Sequence, residues 1–218
     1  MGVLLLLRHG QASLGASDYD RLSDLGRQQA QLAGARLAEA GVTVDRIVCG
    51  ALVRQRDTAI AALAAMNRPE LGLSVDARLD EYDHAGVLAA HTSAVSFESA
   101  TPDSARHIQS ALEEAISKWA AGGDGYAEAH AEFVGRVHDV VTELDALRGC
   151  TLAVTSGGVI AVAAAHLLGL PADQWPALAR VCVNASITKV ITGQSGSSLL
   201  TFNDHAHLEH DRSLITYR

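Results

Sequence analysis

The chain has 218 residues, with 17 Lys+Arg against 25 Asp+Glu and a formal net charge of −8. Hydrophobic residues make up 48% and charged residues 19%, a mix that can bury a sizeable core and argues against intrinsic disorder. No apolar run approaches the ~20 residues of a membrane helix, residues 3–7 run straight into Arg8-His9 rather than into a secretory cleavage site, and an acidic balance without a basic block argues against nucleic acid as a partner.

In chain order, residues 3–7 read as a strand apolar on both faces, as in a parallel sheet. Residues 8–22 are polar and turn-rich. A helix is expected from about 24 to 40, with Ser23 as N-cap and Gly41 as its stop. Residues 46–49 make a second strand, 51–66 a second helix ended by Asn67-Arg68-Pro69, and 73–77 a third strand. Residues 80–100 carry no period and read as loop. Thr101-Pro102-Asp103 offers an N-cap followed by proline at the first helical position, and Ile108, Leu112, Ala115, Ile116 and Trp119 stripe the helix that follows. After a turn at 122–125, a helix over 127–148 carries Phe133, Val137, Val140, Val141, Leu144 and Leu147 and stops at Gly149. Residues 151–155 form a strand, and Ser156-Gly157-Gly158 opens a helix that ends by Gly169-Leu170-Pro171. Runs at 180–191, with a split near Asn184, and at 198–202 finish the sheet.

This alternation predicts the α/β class: a three-layer α/β/α sandwich on a mostly parallel sheet, organised as one domain over 1–218. Cys49, Cys150 and Cys182 are odd in number and each adjoins an apolar run. They read as buried core thiols in a reducing compartment, hence a cytoplasmic protein.

In such a sheet ligands bind beyond the carboxyl ends of the strands. Arg8-His9-Gly10, Arg54, Glu81 and Ser156-Gly157-Gly158 all leave strand ends there. An arginine clamps anionic oxygens with its planar fork, a neutral imidazole can attack phosphorus, and a glycine-rich helix start seats a phosphate. Taken singly, each has a plainer reading: a chance tripeptide, a surface arginine, a loop carboxylate, a glycine-rich N-cap.

Together they resemble the histidine phosphatase superfamily, the phosphoglycerate mutase-like fold. The resemblance is carried by the run from Leu4 to Gln11 through Arg8-His9-Gly10, by Leu22-Ser23-Asp24-Leu25-Gly26-Arg27, and by Leu52-Val53-Arg54-Gln55-Arg56-Asp57-Thr58-Ala59. It continues in Leu79-Asp80-Glu81, Phe133-Val134-Gly135-Arg136-Val137, Thr155-Ser156-Gly157-Gly158-Val159-Ile160, Ala165-His166-Leu167-Leu168-Gly169-Leu170-Pro171, and in Asn203 and His207-Leu208. It implies a phosphatase acting on a small phosphomonoester. His9 would be the nucleophile and Glu81 the proton donor, then base. Arg8 and Arg54 would hold the phosphoryl oxygens, with Ser156 and Gly157 lining the substrate site and no metal or other cofactor needed. The partner implied is the small phosphorylated substrate, with a homodimer left open as the assembly. A helical cap at about 92–126 would cover the pocket.

The chain departs from the family at one telling position. Where the family carries a second histidine that touches the phosphoryl group, this sequence has Ser156. Loss of one such donor costs roughly 2.7–4 kcal/mol, or about 10²–10³ in rate, so reduced activity is expected. The first loop also departs, with Ala12-Ser13 and then Gly15 where the family often has Thr or Ser and later Asn. His84, three residues after Glu81, and His205 are candidates to compensate. His205-x-His207-x-x-His210 lacks the acidic or cysteine partners that would make it a convincing metal site. Three rival readings remain: a mutase-type phosphotransferase of the same fold; a Ser156, Asp173, His205 triad, which lacks the elbow glycine at Val154; and a domain that only binds phosphorylated ligands.

Overall fold

β1 (Gly2–Arg8) lies inside a six-stranded sheet of order β3-β2-β4-β1-β5-β6 in this computed structural model, which describes residues 1–13, 20–92, 105–123 and 125–217. β4 (Gly149–Thr155) runs parallel to β1 and to β2 (Arg46–Cys49), and β2 runs parallel to β3 (Leu73–Val75). β5 (Ile187–Gly193) and the edge strand β6 (Gly196–Asp204) are antiparallel.

Alternation of side chains along β1 explains its unbroken leucines. Leu5 and Leu7 join Ile47, Cys49, Leu152 and Val154 beneath α1 (Asp24–Glu39) and α2 (Val53–Ala65). Leu4 and Leu6 join Val48 and Ala153 on the opposite face. That face is covered by α3 (His84–His91), α4 (Ala105–Ala120), α5 (His130–Asp145), α6 (Gly157–Leu167) and α7 (Trp175–Ala179). The three-layer reading holds. Ser23 caps α1 by accepting from Gly26 N at 3.0 Å, and Gly41 ends it at φ +67°. Cys49, Cys150 and Cys182 are all free and buried.

The structure corrects the expected elements in four places. Residues 80–100 are not all loop: α3 occupies part of them, capped by Asp83 and buried through Val87 and Leu88. Two turns are too short to display a period. The third strand ends at Val75, giving way to a 3-10 turn at Ala77–Leu79. The helix expected over 127–148 is confined to α5, and Leu147 beyond it is 40% exposed. Residues 180–186 are not strand. Cys182 to Ser186 are buried there as an irregular turn, with Ala185 at φ +58°. Its backbone groups find partners in Thr216 O and His9 O instead of a ladder, so apolar composition mimics a strand. The cap signal Thr101-Pro102-Asp103, and most of the cap segment before α4, lie outside the described residues.

The register levels the strand ends. Arg8 pairs with Thr155, Cys49 pairs with Val154, and His9 N donates to Thr155 O at 2.8 Å. The segments after β1, β2 and β4 therefore leave the sheet together.

Candidate active site

His9 is nearly buried at 6% exposure, at the end of β1. Its Nδ1 lies 2.7 Å from Gly10 O. A carbonyl oxygen only accepts, so Nδ1 carries the proton and Nε2 keeps its lone pair. The backbone is fixed from the other side: His9 O accepts from Ala185 N at 3.2 Å and from Asn184 Nδ2 at 3.1 Å. Gly10 N donates to Thr58 Oγ1 at 3.1 Å. A Cβ on Gly10 would run into the backbone of Gly26, which accounts for the glycine after the histidine. Burial, reinforced by the Arg54 and Arg8 charges, holds the His9 pKa well below its ordinary value. The ring is thus neutral near pH 7.

Arg54, in the first turn of α2, donates from Nε to His9 Nε2 at 3.3 Å. Its Nη1 lies 2.8 Å from Asp20 Oδ1, while Asp20 Oδ2 accepts from Val53 N at 2.7 Å. Asp20 so fastens both the guanidinium and the start of its helix. Arg8 reaches from β1 to the far end of the chain. Its Nη1 donates to Cys182 O and its Nη2 to Tyr217 O at 3.0 Å. A Cβ on Gly157 would lie 3.3 Å from Arg8 Nε, so Arg8 rests against the start of α6.

Glu81 is half-buried and docks on the same helix start, its Oε2 accepting from Gly158 N at 2.9 Å. The loop that carries it is anchored three ways. Leu79 O accepts from Thr155 Oγ1 at 2.6 Å and from Gln55 Nε2 at 3.0 Å. Asp80 Oδ1 accepts from Ala51 N at 2.6 Å. Arg136 Nη1 donates to Arg78 O at 2.8 Å and to Asp80 O at 2.7 Å. Burial raises the Asp80 carboxyl despite the backbone donors it accepts.

The sequence-predicted residues His9, Arg8, Arg54, Glu81, Ser156 and Gly157 thus come from four segments to one sheet edge. Ser156 is fully buried at the N-cap of α6, and its Oγ accepts from Gln55 Nε2 at 2.9 Å. Gly158 does not leave its N–H for an anion, since Glu81 takes it. The rival triad is not assembled. Asp173 is a charge that acts on His130, and His205 Nε2 lies 3.8 Å from Glu209. His205 Nδ1, His207 Nε2 and His210 Nδ1 face three separate carbonyls, of Asn203, Ala185 and His207. Among the described residues no group of three His, Cys, Asp or Glu could hold a metal, and no helix is long and apolar enough to cross a membrane.

Sequence reasoning missed Asp20, Gln55, Thr58 and Arg136. Asp20 sits in a patternless polar stretch and carried no signal. Gln55 and Thr58 follow Arg54 on a helix face shared with buried Ala59 and Ala62, where two polar residues in a core stripe were the available clue.

The model of the histidine phosphatase superfamily (branch 1) matches residues 4–205. The chain is 33% identical over 188 residues to glucosyl-3-phosphoglycerate phosphatase of Mycolicibacterium vanbaalenii, covering 80% of this chain and 78% of that protein. A mycobacterial glucosyl-3-phosphoglycerate phosphatase solved with inorganic phosphate superposes with a TM-score of 0.68 at 28% identity, over 94% of this chain and 98% of that one. YhfR of Bacillus stearothermophilus, at 21% identity, shares the fold with a TM-score of 0.71 over 95% of this chain and 99% of its own. With a match that spans nearly the whole chain, and a sheet edge that gathers Arg8, His9, Arg54 and Glu81, the chain belongs to the histidine phosphatase superfamily and is an enzyme of its phosphatase class.

Proposed function

We propose that the protein hydrolyses a small phosphomonoester in two steps through a phosphohistidine on His9. The observation that carries the reading is the His9 ring itself: Nδ1 held to Gly10 O, Nε2 beside a guanidinium, and the imidazole kept neutral. The Nε2 lone pair forms the N–P bond as the P–O bond to the leaving group breaks, and that oxygen takes a proton from Glu81. Water then attacks phosphorus, gives a proton back to Glu81, and the N–P electrons return to Nε2. Arg54 turns its donors from His9 to the phosphoryl oxygens, and Arg8 neutralises their charge from the α6 side. Ser156 and Gly157 border the same helix start. α4 packs on α3, the helix that follows Glu81, which supports reading the cap segment as a cover over the substrate. The buried free thiols support a reducing, cytoplasmic setting.

Rapid-quench mass spectrometry with an aryl phosphate tests the mechanism. An acid-labile, base-stable phosphoryl adduct on His9, lost together with turnover in His9→Ala, is the expected result. A phosphoryl group trapped elsewhere, or an undiminished rate in His9→Ala, overturns it. A panel of phosphorylated metabolites that includes glucosyl-3-phosphoglycerate, named for the mycobacterial relative, identifies the substrate.

A further inference from the structure

Ser156, which the sequence resemblance sets where the family has its second histidine, has its hydroxyl oxygen turned to a buried neighbour. It accepts from Gln55 Nε2, whose other hydrogen bond goes to Leu79 O, and both side chains are fully buried. Another imidazole lies close by. His84 opens α3, three residues after Glu81, and its ring packs on Tyr82 with centroids 4.1 Å apart. Tyr82 is itself wedged among Trp119, Phe133 and Trp175, at centroid distances of 5.1, 5.5 and 5.6 Å. Its Cε1 would lie 3.2 Å from a Cβ on Gly158. One aromatic ring therefore separates His84 from the start of α6, where Glu81 docks.

That placement rests on the contacts of Tyr82 and on the short step from Glu81 to the start of α3, and the surrounding charges agree with it. Glu81, Arg54 and Arg8 all act on its ring, and His84 in turn is among the groups that act on His9. His205 is not among them, being held by Asn203 O and near Glu209. Asp83, the remaining charge facing His84, is used as the α3 cap through Gly86 N at 2.9 Å.

We propose that His84 supplies the second imidazole of the phosphoryl site, donating a ring N–H to a non-bridging phosphoryl oxygen. Resting on the phosphohistidine reading, this role moves the donor from the strand end, where Ser156 stands, to the loop and helix that carry the acid. A neutral imidazole suits it, since one ring nitrogen keeps a proton to donate. The bond strengthens as charge builds on the phosphoryl oxygens in the transition state, so its loss falls on kcat.

The experiment compares wild type with His84→Ala, His84→Asn and His205→Ala on an aryl phosphate, following burst-phase labelling of His9, kcat, KM and inhibition by vanadate. His84→Ala is expected to slow labelling and kcat by roughly 10²–10³-fold, to weaken vanadate by a similar factor, and to change KM little. His84→Asn, which keeps an N–H donor, recovers part of the loss, and His205→Ala behaves as wild type. In the unmodified protein, a ¹⁵N spectrum should show the His84 ring N–H shift and become protected when vanadate is added. A silent His84 resonance, or full labelling and kcat in His84→Ala, overturns the proposal while leaving His9 as nucleophile. Failure of the wild type to label His9 overturns the phosphohistidine reading instead.

Discussion

An imidazole attacks phosphorus only while one nitrogen keeps its lone pair, and for His9 that condition is met by one backbone carbonyl and by exclusion of water. The Arg8-His9-Gly10 tripeptide taken alone reads as readily as chance, and it becomes a candidate site only in company with Arg54, Glu81 and Ser156-Gly157-Gly158. Ser156 stands out in the sequence as an expected departure from the family pattern, but what it contacts is not legible there. Its hydroxyl packs on Gln55 in a space with no exposed surface. Introducing the imidazole of Ser156→His should therefore collide with Gln55, lower stability by ~1–3 kcal/mol, and fail to raise turnover. Removing the obstruction in Ser156→His/Gln55→Ala should restore most of that stability. Urea unfolding of the two variants checks this; equal stability of wild type and Ser156→His would show that the pocket has room to spare.

At the scale of elements, the start of α6 organises the site. Its first residues meet Arg8 and Glu81, and their lack of side chains is what allows it. Ser156-Gly157-Gly158 announced a helix start with exposed donors. The structure assigns one of those donors, Gly158 N, to the acid that would serve the leaving group. A methyl group at Gly158 would run into Glu81 Oε1, the end of a flexible side chain, and would also press on the packed Tyr82 ring at 3.2 Å. Gly158→Ala should thus lower the melting temperature by several degrees while reducing kcat by at least tenfold, most for substrates with poor leaving groups. An equal loss for good and poor leaving groups would place Glu81 outside proton transfer. α3 shows the opposite limit of legibility. Two turns capped by Asp83 carry too little period to be read, although His84 at its first position was already conspicuous beside Glu81.

Across the whole molecule, burial sets the protonation of several histidines at once. It is the largest cause lowering the pKa of His9, His84, His130, His138 and His207. Each takes up a proton more readily in the unfolded chain, whose ordinary value is about 6.5. The unfolded state binds more protons in the window from there down to the folded values, so stability is full above about pH 6.5 and falls as pH is lowered through the window. Urea midpoints between pH 8 and pH 5 should be level at first and then decline. A midpoint unchanged down to pH 5 would mean that these rings titrate alike in both states.

The sequence by itself determined the α/β class, the order of most elements and the four segments that meet at the sheet edge. Those follow from local terms: side-chain alternation on β1, caps such as Ser23, and stops such as Gly41. Only the tertiary structure decided what touches what. Asp20 on Arg54, Gln55 on Ser156, Glu81 on Gly158, and the Cys182 and Tyr217 carbonyls on Arg8 are contacts between distant stretches of chain. They exist because packing brings those stretches together and because buried polar groups must then find partners. No spacing along the chain encodes such pairings.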